Sequence, residues 1–228
     1  MMGKPVACVA SNEVRCHKTH RPGVTAMEIE FKGNEIVFNK PLSDLDRLVF
    51  KFVGVLEGIG IKYVIISGYV AILFGRSRQT EDVDIFLEPL DEKRFFALWR
   101  KLEENEFECI NAFSGGEALH EFLQKQLAIR FAEKGDFEPN FEVKFPKTDL
   151  NRFSLANRIK VKVGDNFLYT SNLELQVAFK LYLGSDKDIE DAIHLWETFK
   201  KNLDHDYIAR FAERLGVQNR LKELGETK

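Results

Sequence analysis

Apolar and polar residues alternate along the chain in two different ways, and the change falls near residue 170. Before it, short strand-like runs alternate with segments at helical spacing, and "MEIEFKGNEIVF" turns at Gly33-Asn34 as a hairpin does. The further predicted strands are "KYVIIS", "DVDIFLE", "FECINAF", "LAIRFAE", "NFEVKF" and two in "RIKVKVGDNFLYT", and the predicted helices are "DLDRLVFKFVGVLEG", "GYVAILFG", residues 91–105 and "GEALHEFLQK". A mixed α/β domain over residues 27–170 is therefore predicted.

The remainder, residues 171–228, has only helical patterns. Ser, Asp or Gly stands at the borders of these segments, as is typical of helix caps. The four segments are "SNLELQVAFKLYLG", "SDKDIEDAIHLWETFKKN", "DHDYIARFAERLG" and "VQNRLKELGE". We expect a helical C-terminal region that packs closely against the α/β domain.

Residues 1–26 show little periodicity, and the first amphipathic run opens at Met27. We interpret residues 1–26 as a leader outside the fold, with Met27 as the hypothetical natural start. The alternative is a small zinc site, although the spacing matches no common zinc module. Its ligands would be Cys8, Cys16, His17 and His20.

Composition and charge argue against several classes of protein. The 228 residues carry a formal net charge of −3, with a pI near 6.0, which argues against wholesale electrostatic binding of nucleic acid. No apolar run is long enough to span a membrane, and the N-terminus lacks the apolar core of a signal peptide. The three cysteines are an odd number, which argues against a disulfide framework. A cytoplasmic protein is predicted.

Two carboxylates stand out in the strand "DVDIF". The period of two places Asp82 and Asp84 on one face and Val83 and Ile85 on the other. Adjacent carboxylates on one face repel each other unless a cation lies between them. A solvated sheet face would be the alternative, but the flanking strands have the composition of buried ones. Mg²⁺ prefers such oxygen ligands and commonly also binds substrate phosphates, so the pair predicts a metal site for phosphoryl-type transfer.

A second candidate feature precedes this pair. Ser67-Gly68 follows a strand and opens a helix, where backbone N–H groups and a missing Cβ favour phosphate binding. Alone, the dipeptide is equally typical of a tight strand–helix turn. Arg76 and Arg78 follow, each either a phosphate ligand or a partner in a structural ion pair.

Taken together, "IISGYVAILFGRSRQTEDVDIFLE" resembles the signature of the nucleotidyltransferase superfamily typified by polymerase β. Its ending, with Gly75, Arg78, Thr80, Asp82 and Asp84, is similar to small prokaryotic nucleotidyltransferase-like proteins, which include abortive-infection type toxins. This chain departs from the pattern at Ser67, where the first glycine usually stands. The resemblance implies a mixed, mostly antiparallel sheet flanked by helices and a nucleotide site that includes Ser67, Gly68, Arg78 and Thr80.

The resemblance also implies a third carboxylate on a neighbouring strand, acting as metal ligand and as base toward the acceptor hydroxyl. In "NFEVKF", Glu142 alternates with apolar residues and matches this position. A solvated charge on an edge strand is the other interpretation. Asp136 and Glu138 are weaker substitutes, because they stand in a predicted loop.

In the helical tail, "SNLELQVAFKLYLGSDKDIEDAIHL" resembles the helix pair that follows the catalytic sheet in these small proteins. On that basis Lys180 is predicted to reach a nucleotide phosphate. Lys187, Asp188 and Asp191 are interpreted as residues that cap and tie the second helix, since acidic groups near a helix N-terminus are favourable without a ligand.

These features predict a Mg²⁺- or Mn²⁺-dependent enzyme that moves an NMP group from an NTP to an acceptor hydroxyl of an RNA end such as tRNA, a protein or a small molecule. Asp82, Asp84 and Glu142 would be both metal ligands and catalytic residues. Two alternatives stay open. In the first, the chain is the toxin of a toxin–antitoxin pair and has a cognate antitoxin. In the second, it binds nucleotides without catalysis.

Overall fold

The structure is a computed structural model and describes residues 28–226. The predicted leader, the hypothetical start at Met27 and the cysteine–histidine group of the zinc alternative lie outside the described residues. Within the described range, no helix is long and apolar enough to cross a membrane.

The described residues form one nine-stranded mixed sheet with helices around it. The strands are β1 (Glu30–Lys32), β2 (Glu35–Phe38), β3 (Tyr63–Ile65), β4 (Asp82–Leu87), β5 (Phe107–Cys109), β6 (Ile129–Glu133), β7 (Asn140–Lys144), β8 (Ile159–Val163) and β9 (Asn166–Thr170). The α-helices are α1 (Asp44–Gly58), α2 (Gly68–Leu73), α3 (Glu92–Glu104), α4 (Gly115–Glu117), α5 (Asp149–Ala156), α6 (Leu173–Leu183), α7 (Asp186–Phe199), α8 (His205–Leu215) and α9 (Gln218–Glu226). A π-helical turn (Ala118–Phe122) and a 3₁₀ turn (Leu123–Lys125) continue α4.

The order of strands across the sheet is β1-β2-β8-β9-β3-β4-β7-β6-β5. β4 is an inner strand that pairs antiparallel with β3 and parallel with β7. The predicted hairpins are present, as β1–β2 around Gly33 and β8–β9 around Gly164. The predicted aspartate strand therefore lies inside the sheet, with neighbours on both sides.

The two faces of the sheet differ in what covers them. On one face, Val83 and Ile85 of β4 and Phe141 of β7 belong to the main hydrophobic core, where Phe141 stacks on Phe52 of α1 with ring centroids 3.9 Å apart. On the other face, Phe86 packs in a small separate cluster with Val64, Ile66 and Leu155 of α5. The carboxylates of β4 share this second face, which is covered only in part.

The C-terminal helices join the main core. Phe199 of α7 packs edge-to-face on Phe74, just after α2, with centroids 4.8 Å apart, and Phe74 in turn meets Phe38 of β2. Residues of α6, α7 and α8 are buried in the same cluster as the sheet. The close packing of the helical region on the α/β part is as predicted.

One helix was missed and two local predictions were wrong. α5 was not among the predicted helices, but Thr148 and Asn151 form a capping box at its start. "GEALHEFLQK" was expected to be one regular helix, but it changes from α to π to 3₁₀ geometry. Only Phe107–Cys109 of "FECINAF" is a strand, because the chain then leaves the sheet edge.

Candidate active site

The two predicted carboxylate strands lie side by side. β4 and β7 are parallel neighbours, and their register pairs Asp82 with Asn140 and Asp84 with Glu142. Because directly paired residues of neighbouring strands point to the same face, Asp84 and Glu142 face the same side of the sheet. The structure thus brings Asp84 and Glu142 together, and Asp82 lies two residues earlier on the same face of β4.

Lys144, which was not among the predicted site residues, lies between them. The Nζ of Lys144 is 3.0 Å from Oδ1 of Asp84 and 2.7 Å from Oε1 of Glu142. Arg130 of β6 binds the other oxygen of Glu142, at 2.9 Å. We call these five side chains, Asp82, Asp84, Glu142, Lys144 and Arg130, the carboxylate face. Lys144 stands two residues after Glu142, so the same alternation that pointed to Glu142 was the available signal.

Burial and neighbouring charges shift the pKa values of Asp84 and Glu142 in opposite directions. Burial raises the pKa of Asp84, and the nearby charges of Asp82 and Glu142 add to that effect, while Lys144 opposes it. Burial would also raise the pKa of Glu142, but hydrogen bonds from Lys144 and Arg130 hold it below its usual value. Although burial opposes its charge, the two carboxylates raise the pKa of Lys144. Glu142 is therefore a firmly ionised group, and Asp84 is the one that further positive charge would stabilise most.

Asp82 is the first residue of β4 and lines a cleft. Thr80 Oγ1 donates to the Asp82 carbonyl oxygen at 3.0 Å and lies 3.4 Å from its Oδ1. The cleft has a volume of about 760 Å³, and its lining includes Asp82, Thr80, Arg78 and, from the β6–β7 loop, Glu138. It is large enough for a small-molecule ligand. Asp136, the other substitute considered for the third carboxylate, lies in the same loop.

The oxygen atoms near Asp82 supply some, but not all, of the ligands that a divalent cation requires. Asp82 and Asp84 offer carboxylate oxygens from one face of β4, and the buried Asn140, the register partner of Asp82, has an Oδ1 without a hydrogen-bond partner among the described residues. Between Asp84 and Glu142, however, the Lys144 ammonium already supplies a cation. Within residues 28–226, no three acidic, histidine or cysteine side chains are grouped closely enough to form a finished metal site.

The turn before α2 lies next to the carboxylate strand. The N–H of Ile66 donates to the carbonyl oxygen of Asp84 at 3.0 Å, so Ser67-Gly68 begins where β4 carries its carboxylates. Ser67 has φ 64° and ψ −134°, a conformation that favours glycine, and its carbonyl oxygen accepts from Gln176 at 3.1 Å. A methyl group on Gly68 would collide with the guanidinium of Arg78. The turn is thus held in a strained shape directly under an arginine.

The predicted phosphate-binding cations are paired with acidic groups in this structure. Asp191 of α7 is fully buried and accepts from Arg78 Nε at 3.0 Å and Nη2 at 2.9 Å, from Arg76 Nε at 3.1 Å and from Lys180 Nζ at 2.9 Å. Lys180, whose side chain is 3% exposed, also binds Asp188 at 2.6 Å. We call these five side chains, Arg76, Arg78, Lys180, Asp188 and Asp191, the helix-side network.

The residues of the helix-side network that were singled out from sequence have distinct positions in the structure. Arg78 reaches both the Asp191 carboxylate and the Ser67-Gly68 turn, whereas Lys180 is enclosed between α6 and α7. Asp188 accepts from the Ser185 hydroxyl at 2.6 Å, in agreement with a cap of α7. Asp191 is more than a tie of that helix, because it binds three cations, two from the segment after α2 and one from α6. Sequence spacing showed its polarity but could not show its burial.

Comparison with solved structures identifies the fold as that of nucleotidyltransferase-like proteins. An antigenic nucleotidyltransferase-like protein from Paracoccidioides brasiliensis matches with a TM-score of 0.50 and 18% identity over 81% of this chain and 94% of its own. The antibiotic-resistance factor ANT(2'')-Ia matches with a TM-score of 0.46 and 10% identity, over 79% of this chain and 97% of its own. The lincosamide antibiotic adenylyltransferase LnuA matches with a TM-score of 0.46 and 13% identity, over 70% and 99%.

No protein-family model matches the sequence, and no curated protein is similar to it. At these identities the similarity concerns the fold. The predicted nucleotidyltransferase fold, a mixed sheet flanked by helices, is confirmed. The roles predicted for individual site residues stay predictions.

Proposed function

We propose that this protein transfers a nucleotidyl group from an NTP to an acceptor hydroxyl and releases pyrophosphate. The observation that carries the proposal is the alignment of Asp84 with Glu142 across β4 and β7, on the partly open face of the sheet and beside the turn before α2. A half-buried carboxylate pair of this kind costs stability unless it serves a cation or a reaction.

In the proposed mechanism, Asp82 and Asp84 would hold Mg²⁺ or Mn²⁺. Such an ion neutralises phosphate charge and promotes displacement at phosphorus. The N–H groups at the start of α2 bind phosphate oxygens, and Arg78, which lies over Gly68, adds positive charge there. Thr80 fixes the end of β4 through its bond to Asp82.

Glu142 has the role of proton acceptor. The acceptor oxygen forms a bond to the α-phosphorus, the bond from this phosphorus to the oxygen that bridges to the β-phosphate breaks, and pyrophosphate leaves with that electron pair. The hydroxyl proton passes to Glu142, which Lys144 and Arg130 keep ionised.

The direct test is incubation of the full chain with each NTP, labelled at the α-phosphate, together with Mg²⁺ and total cellular RNA and protein. We expect label in one acceptor class and at least about a hundredfold less with Asp82→Asn, since metal-bound charge stabilisation is worth several kcal/mol. A matched control is Asp165→Asn, on the β8–β9 turn and outside the site. Equal labelling by the wild type and Asp82→Asn would overturn the mechanism.

A second candidate function is nucleotide binding without catalysis. It is favoured by one specific observation, because Lys144 already satisfies Asp84 and Glu142. Calorimetry with each NTP and Mg²⁺, in parallel with the labelling experiment, separates the two candidates: heat of binding without transfer would favour the second.

A toxin role with a cognate antitoxin remains part of the proposal as a biological context for the transfer reaction. It predicts growth arrest on expression of the wild type. Growth arrest that persists with Asp82→Asn would separate toxicity from the proposed chemistry.

A further inference from the structure

Lys144 lies where a second cation of a two-ion site would be expected. Its Nζ lies within 3.0 Å of one oxygen of Asp84 and one of Glu142, the two carboxylates that the strand register brings face to face. In two-metal phosphoryl-transfer sites the ions lie about 3.5–4 Å apart and share carboxylate ligands. Here the Lys144 ammonium group fills the position between Asp84 and Glu142.

The lysine is well placed to remain there. It stands on β7, two residues after Glu142, and its register partner is Phe86 on β4. Its Nζ is 6.0 Å from the Phe86 ring centroid, and its side chain is 27% exposed. A tethered cation has a high effective concentration at its own site, so a dissolved ion must displace it at a cost.

The charges of the carboxylate face lead to the same conclusion. Its three carboxylates already face two cations, Lys144 and Arg130. One negative charge remains, on the Asp82 side of the face. That remainder suits one divalent cation shared with a triphosphate, whereas a second ion would find both Asp84 and Glu142 already paired.

We propose that this protein uses a single divalent ion, held by Asp82 and Asp84, and that Lys144 replaces the second ion next to Glu142. Lys144 is thus a positioning residue that acts through Glu142 and Asp84. This inference rests on the proposed function, because it concerns the metal of the same site. It goes further in assigning an ion count and a role to a residue that the nucleotidyltransferase signature does not include.

The test counts bound Mn²⁺ by electron paramagnetic resonance, with Mn²⁺ as the only added ligand. The wild type is expected to bind one ion per chain. Lys144→Met keeps the aliphatic stem without the charge, frees both carboxylates and is expected to bind two. Adding Glu142→Gln to Lys144→Met should reduce the count to one again, which locates the additional ion, because the first ion is held by Asp82 and Asp84. Lys147→Met is the matched control, because it removes an equal charge from an exposed position nearby and should leave the count at one.

The possible results have different meanings. Two ions in the wild type would overturn the inference and leave the proposed metal-dependent function intact, and this result needs no variant. One ion in both the wild type and Lys144→Met, with Lys144→Gln as a second variant, would also overturn it. No ion in any of these proteins would overturn the inference together with the proposed metal dependence. One ion in the wild type and two in the variant, without nucleotidyl transfer, would support the inference and contradict the proposed function.

Discussion

The carboxylate face and the helix-side network contain similar numbers of charged groups but differ in how those groups are satisfied. In the network, Asp191 is fully buried and its cations Arg76 and Arg78 are only 14% and 12% exposed. On the carboxylate face, Asp84 and Glu142 are partly exposed, at 19% and 17%, and Arg130 is half exposed. One cluster is closed around its charges, whereas the other is open to a ligand.

The difference shows how a fold separates stabilising charges from reactive ones. A fully paired, buried cluster resists the loss of any member, because the remaining charges cannot be solvated. An open cluster with more acids than bases tolerates such losses but keeps a preference for an added cation, whereas the helix-side network has more bases than acids. The two clusters meet at the Ser67-Gly68 turn, where Arg78 of the network lies over the turn beside β4.

The largest expected effect is on the stability of the helix-side network. Asp191→Ala leaves Arg76, Arg78 and Lys180 without their shared partner and should lower the free energy of unfolding by about 3–5 kcal/mol. Urea denaturation measures this loss. Glu190→Ala is the control, since Glu190 contacts Arg76 from the exposed side of α7 and should change stability by less than about 1 kcal/mol. Similar losses for the two variants would remove the distinction between the closed and the open cluster.

The next effect concerns catalysis on the carboxylate face. Asp84→Asn should reduce nucleotidyl transfer by at least about a hundredfold, because several kcal/mol of charge stabilisation is lost. Its stability should stay within about 1 kcal/mol of the wild type, since the substitution also removes repulsion among buried carboxylates. Transfer assays and urea denaturation on the same preparation test both statements. A loss of stability as large as that of Asp191→Ala would mean that the carboxylate face is a structural cluster too.

A smaller effect is expected at the contact between the two clusters. Gly68→Ala adds a methyl group against the Arg78 guanidinium, and displacing that group from Asp191 should cost about 1–3 kcal/mol. Gly54→Ala is the control, because nothing lies within 4 Å of the added methyl in α1 and a helical alanine should be mildly stabilising. Thermal unfolding of Gly68→Ala in an Arg78→Ala background completes the cycle. A penalty that remains without Arg78 would show that another neighbour opposes the methyl group.

The smallest effect is a gain. Ser67→Gly should raise the free energy of unfolding by about 1 kcal/mol, because the positive φ of Ser67 is strained and the gain exceeds the extra entropy of the unfolded glycine. Thermal unfolding provides the measurement. Ser67→Ala keeps the Cβ and should bring no such gain, so an equal rise for both variants would point to the hydroxyl instead of the backbone.

The carboxylate face could be predicted to a large extent from sequence. The alternation in "DVDIF" and "NFEVKF" put Asp82, Asp84 and Glu142 on predictable faces, and the resemblance to nucleotidyltransferases supplied the pairing that brings Glu142 to Asp84. Lys144 follows from the same alternation as a residue of that face. Its bridging position does not follow, because it requires β4 and β7 to be parallel neighbours in one register.

The helix-side network was harder to predict from sequence. From sequence, each arginine could be a partner in an ion pair or a phosphate ligand, and Lys180 was predicted to bind phosphate; those ligand roles stay predictions. Their common partner Asp191 is 113 residues from Arg78 along the chain, so no local pattern connects the two. α5 was missed for a related reason, since the helix is short and its stability depends on a capping box and on contacts with β3 and β4.

The sequence by itself determined the faces: which residues of each strand point together, where the glycine-type turn lies and where the helices begin. Those properties depend on periods of 2 and 3.6 residues and on caps, which are local. Only the tertiary structure decided the partners: Lys144 between Asp84 and Glu142, and Asp191 among three cations. Partners depend on strand order, register and burial, and these arise from packing between segments that are distant along the chain.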